Sequence, residues 1–151
     1  MLELAQLLRY YLKIFMMYNK ILCVDDDPIT LMLCKKVIEK SEFSHQIDTT
    51  NNGEDALKYF DNLKEELKKN KNIVLPELMF LDLNMPIIGG WEFLDTFSEV
   101  NYYPHFPELK VIVLSSTIDP KDIEKSKSYP MVIDFISKPI TKEMLSLFKR
   151  V

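Results

Sequence analysis

At 151 residues the chain has the size of one domain, and 47% hydrophobic with 28% charged residues is the make-up of a globular protein with a substantial core. A formal net charge of −4 gives nothing that favours a nucleic-acid partner, which needs a basic patch, and no apolar run is long enough to cross a bilayer. The two cysteines, Cys23 and Cys34, lack metal-ligand spacing, which predicts reduced, packed thiols in a cytoplasmic protein.

Residues 1–18 read as an N-terminal extension ahead of a domain over 19–151. Leu4, Leu7, Leu8, Tyr11, Phe15 and Tyr18 recur at helical spacing. Arg9 and Lys13 interrupt the apolar stretch and no small-residue cleavage site follows, so a secretory signal is not expected. Met16 and Met17 stand just before the first strand. Two readings follow: a helix that docks on the domain or forms a homodimer, or a gene-start artefact with translation beginning at Met17.

From there strands and helices alternate. A strand at about 20–25 precedes a helix from Pro28 to Lys40, with proline suited to the first turn. A half-buried strand at about 45–50 leads through Asn51-Asn52-Gly53 into a helix from Glu54 to Lys69, whose Ala56, Leu57, Phe60, Leu63 and Leu67 form its apolar stripe. A third strand covers about 77–82, and Gly89-Gly90 opens a helix from Trp91 to Val100. A fourth strand at about 110–115, a short helix from Pro120 to Ser128, a fifth strand at about 131–136 and a last helix running from Pro139 to the chain end complete the series. Such alternation predicts βαβ units and a doubly wound parallel sheet. The three glycines fall in predicted turns, where a positive φ is expected of them.

Four apolar runs end in functional groups: Ile21–Val24 in Asp25-Asp26, Leu78–Leu81 in Asp82, Val111–Leu114 in Ser115, and Val132–Ser137 in Lys138-Pro139. Short apolar runs of this type read as fully buried strands of a parallel sheet. Ligand sites in such sheets lie at the carboxyl ends of the strands. One edge should therefore collect three carboxylates, a hydroxyl and an ammonium. Two like charges about 4 Å apart repel by about 4 kcal/mol at an effective dielectric of about 20. That repulsion calls for a cation, and Mg2+, which takes hard oxygen ligands and bridges phosphate oxygens, is the natural candidate. A carboxylate in such a site can be a nucleophile toward a phosphoryl group, with the metal, Lys138 and Ser115 meeting its oxygens.

Val24-Asp25-Asp26, Leu81-Asp82-Leu83-Asn84-Met85-Pro86 with Gly89-Gly90, Leu114-Ser115-Ser116 and Phe135-Ile136-Ser137-Lys138-Pro139 resemble, in order and spacing, the receiver domain of two-component response regulators. The resemblance covers roughly residues 19–151. It implies a flavodoxin-like sheet of five parallel strands in the order 2-1-3-4-5 with five helices. It implies Asp82 as phosphoacceptor, Asp25 and Asp26 as the acidic pair holding Mg2+, and the Asn84 backbone carbonyl as a further ligand. Ser115 matches the switch hydroxyl, Lys138 the phosphate-binding lysine, Phe135 the aromatic switch residue, and Lys138-Pro139 a cis peptide. The implied partners are a histidine kinase or phosphotransfer protein and a separate downstream effector, without nucleic acid or membrane. No output domain follows the last helix, as in a stand-alone receiver. Departures are small: serine for threonine at 115, Ser116 for a common alanine, and Phe135 without a hydroxyl.

The residues also admit other readings. A haloacid dehalogenase-type phosphohydrolase would use Asp25 as nucleophile, but Thr30 comes one position late for its first motif and Asp82 is left without a role. A phosphorylation-independent pseudo-receiver would have no need of the full acidic, hydroxyl and lysine set. Asp27 reads as a helix cap before Pro28. His45, His105 and Trp91 read as packing or surface residues, and Lys64–Lys71 as a solvated helix face. The aromatic stretch Tyr102–Phe106 reads as a cover over the sheet.

Overall fold

The computed structural model describes residues 3–149. Five strands, β1 (Ile21–Val24), β2 (Ile47–Thr50), β3 (Leu78–Asp82), β4 (Lys110–Ser115) and β5 (Val132–Ser137), form one parallel sheet in the order β2-β1-β3-β4-β5. This is the doubly wound α/β architecture the strand–helix alternation predicts.

Side chains alternate between the two faces of the sheet, and each face has its own helices. Ile21, Cys23, Leu78, Phe80, Ile112 and Leu114 pack with Leu31, Cys34 and Ile38 of α2 (Pro28–Lys40) and Leu145 of α6 (Lys142–Ser146). Leu22, Val24, Met79, Leu81 and Val111 pack with Ala56, Phe60 and Leu63 of α3 (Gly53–Lys69) and Phe93, Leu94 and Phe97 of α4 (Gly90–Phe97). The short α5 (Pro120–Ser126) lies beside β5. Every residue of β1 and β3 is buried, as their unbroken apolar runs require. Cys23 and Cys34 are both free and buried.

Helix starts follow from local chemistry. Asp27 caps α2 by accepting from Ile29 N at 3.0 Å, ahead of proline in the first turn. Asn52 caps α3 through Asp55 N, and Thr141 caps α6 through Met144 N. The N-terminal extension forms α1 (Leu4–Met16).

Four expectations are corrected. First, β5 is not fully buried: it is an edge strand whose Ile133 and Asp134 are exposed. Second, α4 ends at Phe97, α5 at Ser126 and α6 at Ser146, each short of its predicted end; residues 150–151 lie outside the described residues. Third, the stretch after α4 is not a plain loop: it holds a 3-10 turn (Tyr103–His105), and its Phe106 covers the sheet from within the core, with its ring 4.9 Å from that of Phe60. Fourth, no described glycine has a positive φ. The left-handed residue of the β3–α4 loop is Ile87, at φ 68°. The glycines serve close approach: a Cβ at Gly53 would stand 2.6 Å from Ile88 O, and one at Gly90 2.6 Å from Asp82 O.

Candidate functional site

The parallel register brings the ends of β1, β3 and β4 to one edge. Asp25 directly follows β1, Asp82 ends β3, Ser115 ends β4 and Lys138 directly follows β5. Asp25, Asp82 and Ser115 are buried; Asp26 is exposed at the rim. One carboxylate oxygen from each of Asp25, Asp26 and Asp82 lies within 4.8 Å of the others.

The Lys138 ammonium enters this cluster from the far edge of the sheet. It donates to Asp25 Oδ2 at 2.5 Å and to Asp82 Oδ1 at 3.2 Å. Its position is set by backbone pairing, since Lys138 N donates to Ser115 O at 2.8 Å; the Lys138-Pro139 peptide that follows is cis. Asp25 Oδ1 accepts from Asp27 N at 2.9 Å, so both oxygens of Asp25 are engaged. The two bonds to Asp82, from Lys138 and from Asn84 N at 3.4 Å, both fall on Oδ1. Among the described residues, Asp82 Oδ2 is the oxygen left for a ligand.

The electrostatics agree. Burial raises the Asp82 pKa, the neighbouring Asp25 charge raises it further, and Lys138 and Asn84 N pull against them. For Lys138, burial acts to lower the pKa, but its bonds to Asp25 and Asp82 outweigh burial and the pKa is raised. Asp27, at the surface, is lowered by its bonds from Thr30 and Ile29, as suits a cap. Three carboxylates facing one ammonium leave two negative charges without a counter-charge. An all-oxygen donor set with that deficit fits a hard divalent cation of the Mg2+ type.

Ser115 Oγ accepts from Thr117 N at 3.3 Å, at the carboxyl end of β4. Phe135 lies in register with Val113 and Ser137 with Ser115, so Phe135 and Ser115 share a face of the sheet, one residue pair apart along it. Phe135 is half-buried.

Two features were not visible from sequence. One is that Lys138 is bound more closely to Asp25 than to Asp82. The other is a cluster beside the site's outer helices: Tyr129 donates to Asp95 at 2.5 Å, Trp91 stacks on Tyr129 with ring centroids 5.8 Å apart, and Lys125 Nζ lies 4.8 Å from the Trp91 ring. Tyr129 sits in a turn, where no periodic pattern marks it as a contact.

The doubly wound sheet thus carries a carboxylate cluster, a lysine and a hydroxyl at the carboxyl ends of its strands. The family model for the response regulator receiver domain matches residues 21–148, and the chain belongs to that family. Among curated proteins it is similar to a protein-glutamate methylesterase/protein-glutamine glutaminase of Halalkalibacterium halodurans, 31% identical over 133 residues. That match covers 86% of this chain and 33% of the relative, so the chain spans a third of that protein's length. Among solved structures it is similar to a two-component response regulator from Cytophaga hutchinsonii, with TM-score 0.74, 30% identity and coverage of 87% of this chain and 93% of that one. It is also similar to the phosphorylated cyanobacterial phytochrome response regulator RcpA, with TM-score 0.64, 26% identity and coverage of 86% and 88%.

Proposed function

We propose that this receiver domain accepts a phosphoryl group on Asp82 Oδ2 and passes the signal to a separate protein. The observation that carries this is the division of labour between the two buried carboxylates. Both oxygens of Asp25 are engaged, whereas the two bonds to Asp82 both fall on Oδ1.

The donor is a phosphohistidine of a kinase or phosphotransfer protein. The P–N bond breaks, an Asp82 oxygen–phosphorus bond forms, and the leaving imidazole nitrogen takes up a proton. Asp25, Asp26, Asp82 and the Asn84 backbone carbonyl would hold Mg2+, which would supply positive charge beside the phosphoryl oxygens. Lys138, already bonded to Asp82, follows the phosphoryl group and neutralises one of its oxygens. Ser115 donates its hydroxyl to another. The domain is in this reading a self-phosphorylating and self-dephosphorylating signalling module rather than a turnover enzyme. The buried thiols suit a cytoplasmic setting. No helix among the described residues is long and apolar enough to cross a membrane.

Phosphorylation adds about −1.5 to −2 charges. Ser115 moving toward the phosphoryl group vacates space beside Val113, and Phe135, half-buried on the same face, turns into it. Completing the burial of an apolar ring is favourable and leaves no hydroxyl unsatisfied. The surface so changed is that of α5, β5 and α6, which meets the downstream effector.

The test is peptide mapping after incubation with acetyl phosphate and Mg2+. The expected result is one hydroxylamine-labile phosphoryl group on the peptide that contains Asp82. Label on the Asp25 peptide would favour the dehalogenase-type alternative, and no label would favour the pseudo-receiver.

A further inference from the structure

The extension is a helix attached to the domain at one end and bare along one side. At 100° per residue, Leu4, Leu8, Tyr11 and Leu12 of α1 fall in one arc, with Gln6, Arg9 and Lys13 opposite. Leu4 is 80% exposed, Leu8 59%, Tyr11 66% and Leu12 52%. The helix cannot turn this arc onto the domain, because its other edge is already used. Lys13 is ion-paired with Glu42, Ile14 is half-buried, and His45 Nε2 lies 3.4 Å from Ile14 O. Tyr18, beyond the helix, is pinned as well: its N donates to Phe43 O at 3.0 Å and its OH to Phe148 O at 2.6 Å.

We infer that the chain pairs with a second copy of itself through the Leu4–Leu8–Tyr11–Leu12 face of α1. Three observations select this occupant. First, the area reaches the threshold: at the exposures above, these four residues leave about 500 Å² open per copy, so their complete burial in a pair removes about 1,000 Å², the lower bound for a specific interface. Second, the face is self-complementary. A two-fold pair sets leucines and tyrosines of one copy against those of the other, while Arg9 and Lys13 point away from the seam. Third, the charge disfavours a lipid surface. Interfacial helices carry a Lys- and Arg-rich polar face, whereas α1 has Arg9 and a Lys13 engaged by Glu42, on a chain of net charge −4.

The pair leaves the phosphoryl site open. α1 leads into the start of β1, whereas Asp25 and Asp82 stand at the opposite, carboxyl ends of the strands. Self-association is thus independent of the acceptor role, and the two are tested separately.

Sedimentation velocity of the full chain, up to about 100 µM, reads the pairing directly. A dimer is expected. The double variant Leu8→Glu/Tyr11→Glu should raise its dissociation constant at least about tenfold, without loss of helical circular dichroism, since both positions are exposed and glutamate favours helix. Arg9→Gln, on the opposite face, should leave the dimer intact. A monomer throughout the range, or a dimer unaffected by the double variant, overturns the inference. Monomeric full chain that co-sediments with phosphatidylglycerol vesicles also overturns it and assigns the face to lipid.

Discussion

Lys138 Nζ stands 3.2 Å from Asp82 Oδ1, so an ammonium from the edge of the sheet is in contact with a carboxylate from its centre. The contact compensates Asp82 only in part: burial and the Asp25 charge still hold its pKa above the ordinary carboxylate range. A carboxyl with a raised folded-state pKa binds its proton more readily folded than unfolded. Its relative stability is full below the unfolded value of about 3.9 and is lost as pH rises through the folded value. The metal-free protein should therefore lose stability as pH rises through that window. Asp82→Asn should flatten this dependence and melt higher at pH 7 than the wild type. Calorimetry of both proteins in a chelator-treated buffer checks this.

Magnesium should act in the opposite sense. Two negative charges left over in the acidic cluster make the folded state the better metal ligand. At a hundredfold excess over its dissociation constant, Mg2+ should add about 2.7 kcal/mol to wild-type stability. Asp26→Ala removes the rim carboxylate without touching the buried pair and should abolish most of that gain. Thermal melts with and without the metal read both effects.

Tyr129 provides an independent check on the packing of α4 against the turn before β5. Burial first, then its bond to Asp95, push its phenol up to about 12. Ultraviolet titration should show one tyrosine ionising near that value, lost in Tyr129→Phe. The variant should cost about 1 kcal/mol, the usual worth of one hydrogen bond. Because the folded pKa is raised, this contribution is full below about 10 and is lost as pH rises through the folded value.

The strand ends were legible because a parallel sheet writes them plainly. Ile21–Val24, Leu78–Leu81 and Val111–Leu114 are unbroken apolar runs, and each stops at the polar residue that reaches the site. β5 was read as equally buried because Val132 and Ile133 look like core residues; being last in the sheet, it has a neighbour on one side only. The glycines were assigned to positive φ by habit of type, whereas the strain lies at Ile87 and the glycines make room for Ile88 and Asp82 backbone. Phe106 gave no sign of its place in the core, since nothing in an aperiodic aromatic stretch says which ring turns inward. The sharing of Lys138 between Asp25 and Asp82 depends on a register across four strands, β1, β3, β4 and β5, which no local motif carries.

The switch should be separable from the chemistry. Ser115→Ala keeps Asp25, Asp26, Asp82 and Lys138, so beryllofluoride should still bind. The amide shifts of α5 and Phe135 that accompany binding in wild type should shrink in the variant. Identical shifts in both proteins would show that Phe135 does not respond through Ser115.

The central claim is that Asp82, and not Asp25, takes the phosphoryl group. Intact-mass measurement after treatment with acetyl phosphate and Mg2+ compares wild type, Asp82→Asn and Asp25→Asn in one experiment. The account predicts one added phosphoryl group in wild type, none in Asp82→Asn, and a reduced but detectable amount in Asp25→Asn, with weaker dependence on the metal. Undiminished phosphorylation of Asp82→Asn together with its loss in Asp25→Asn would contradict the account.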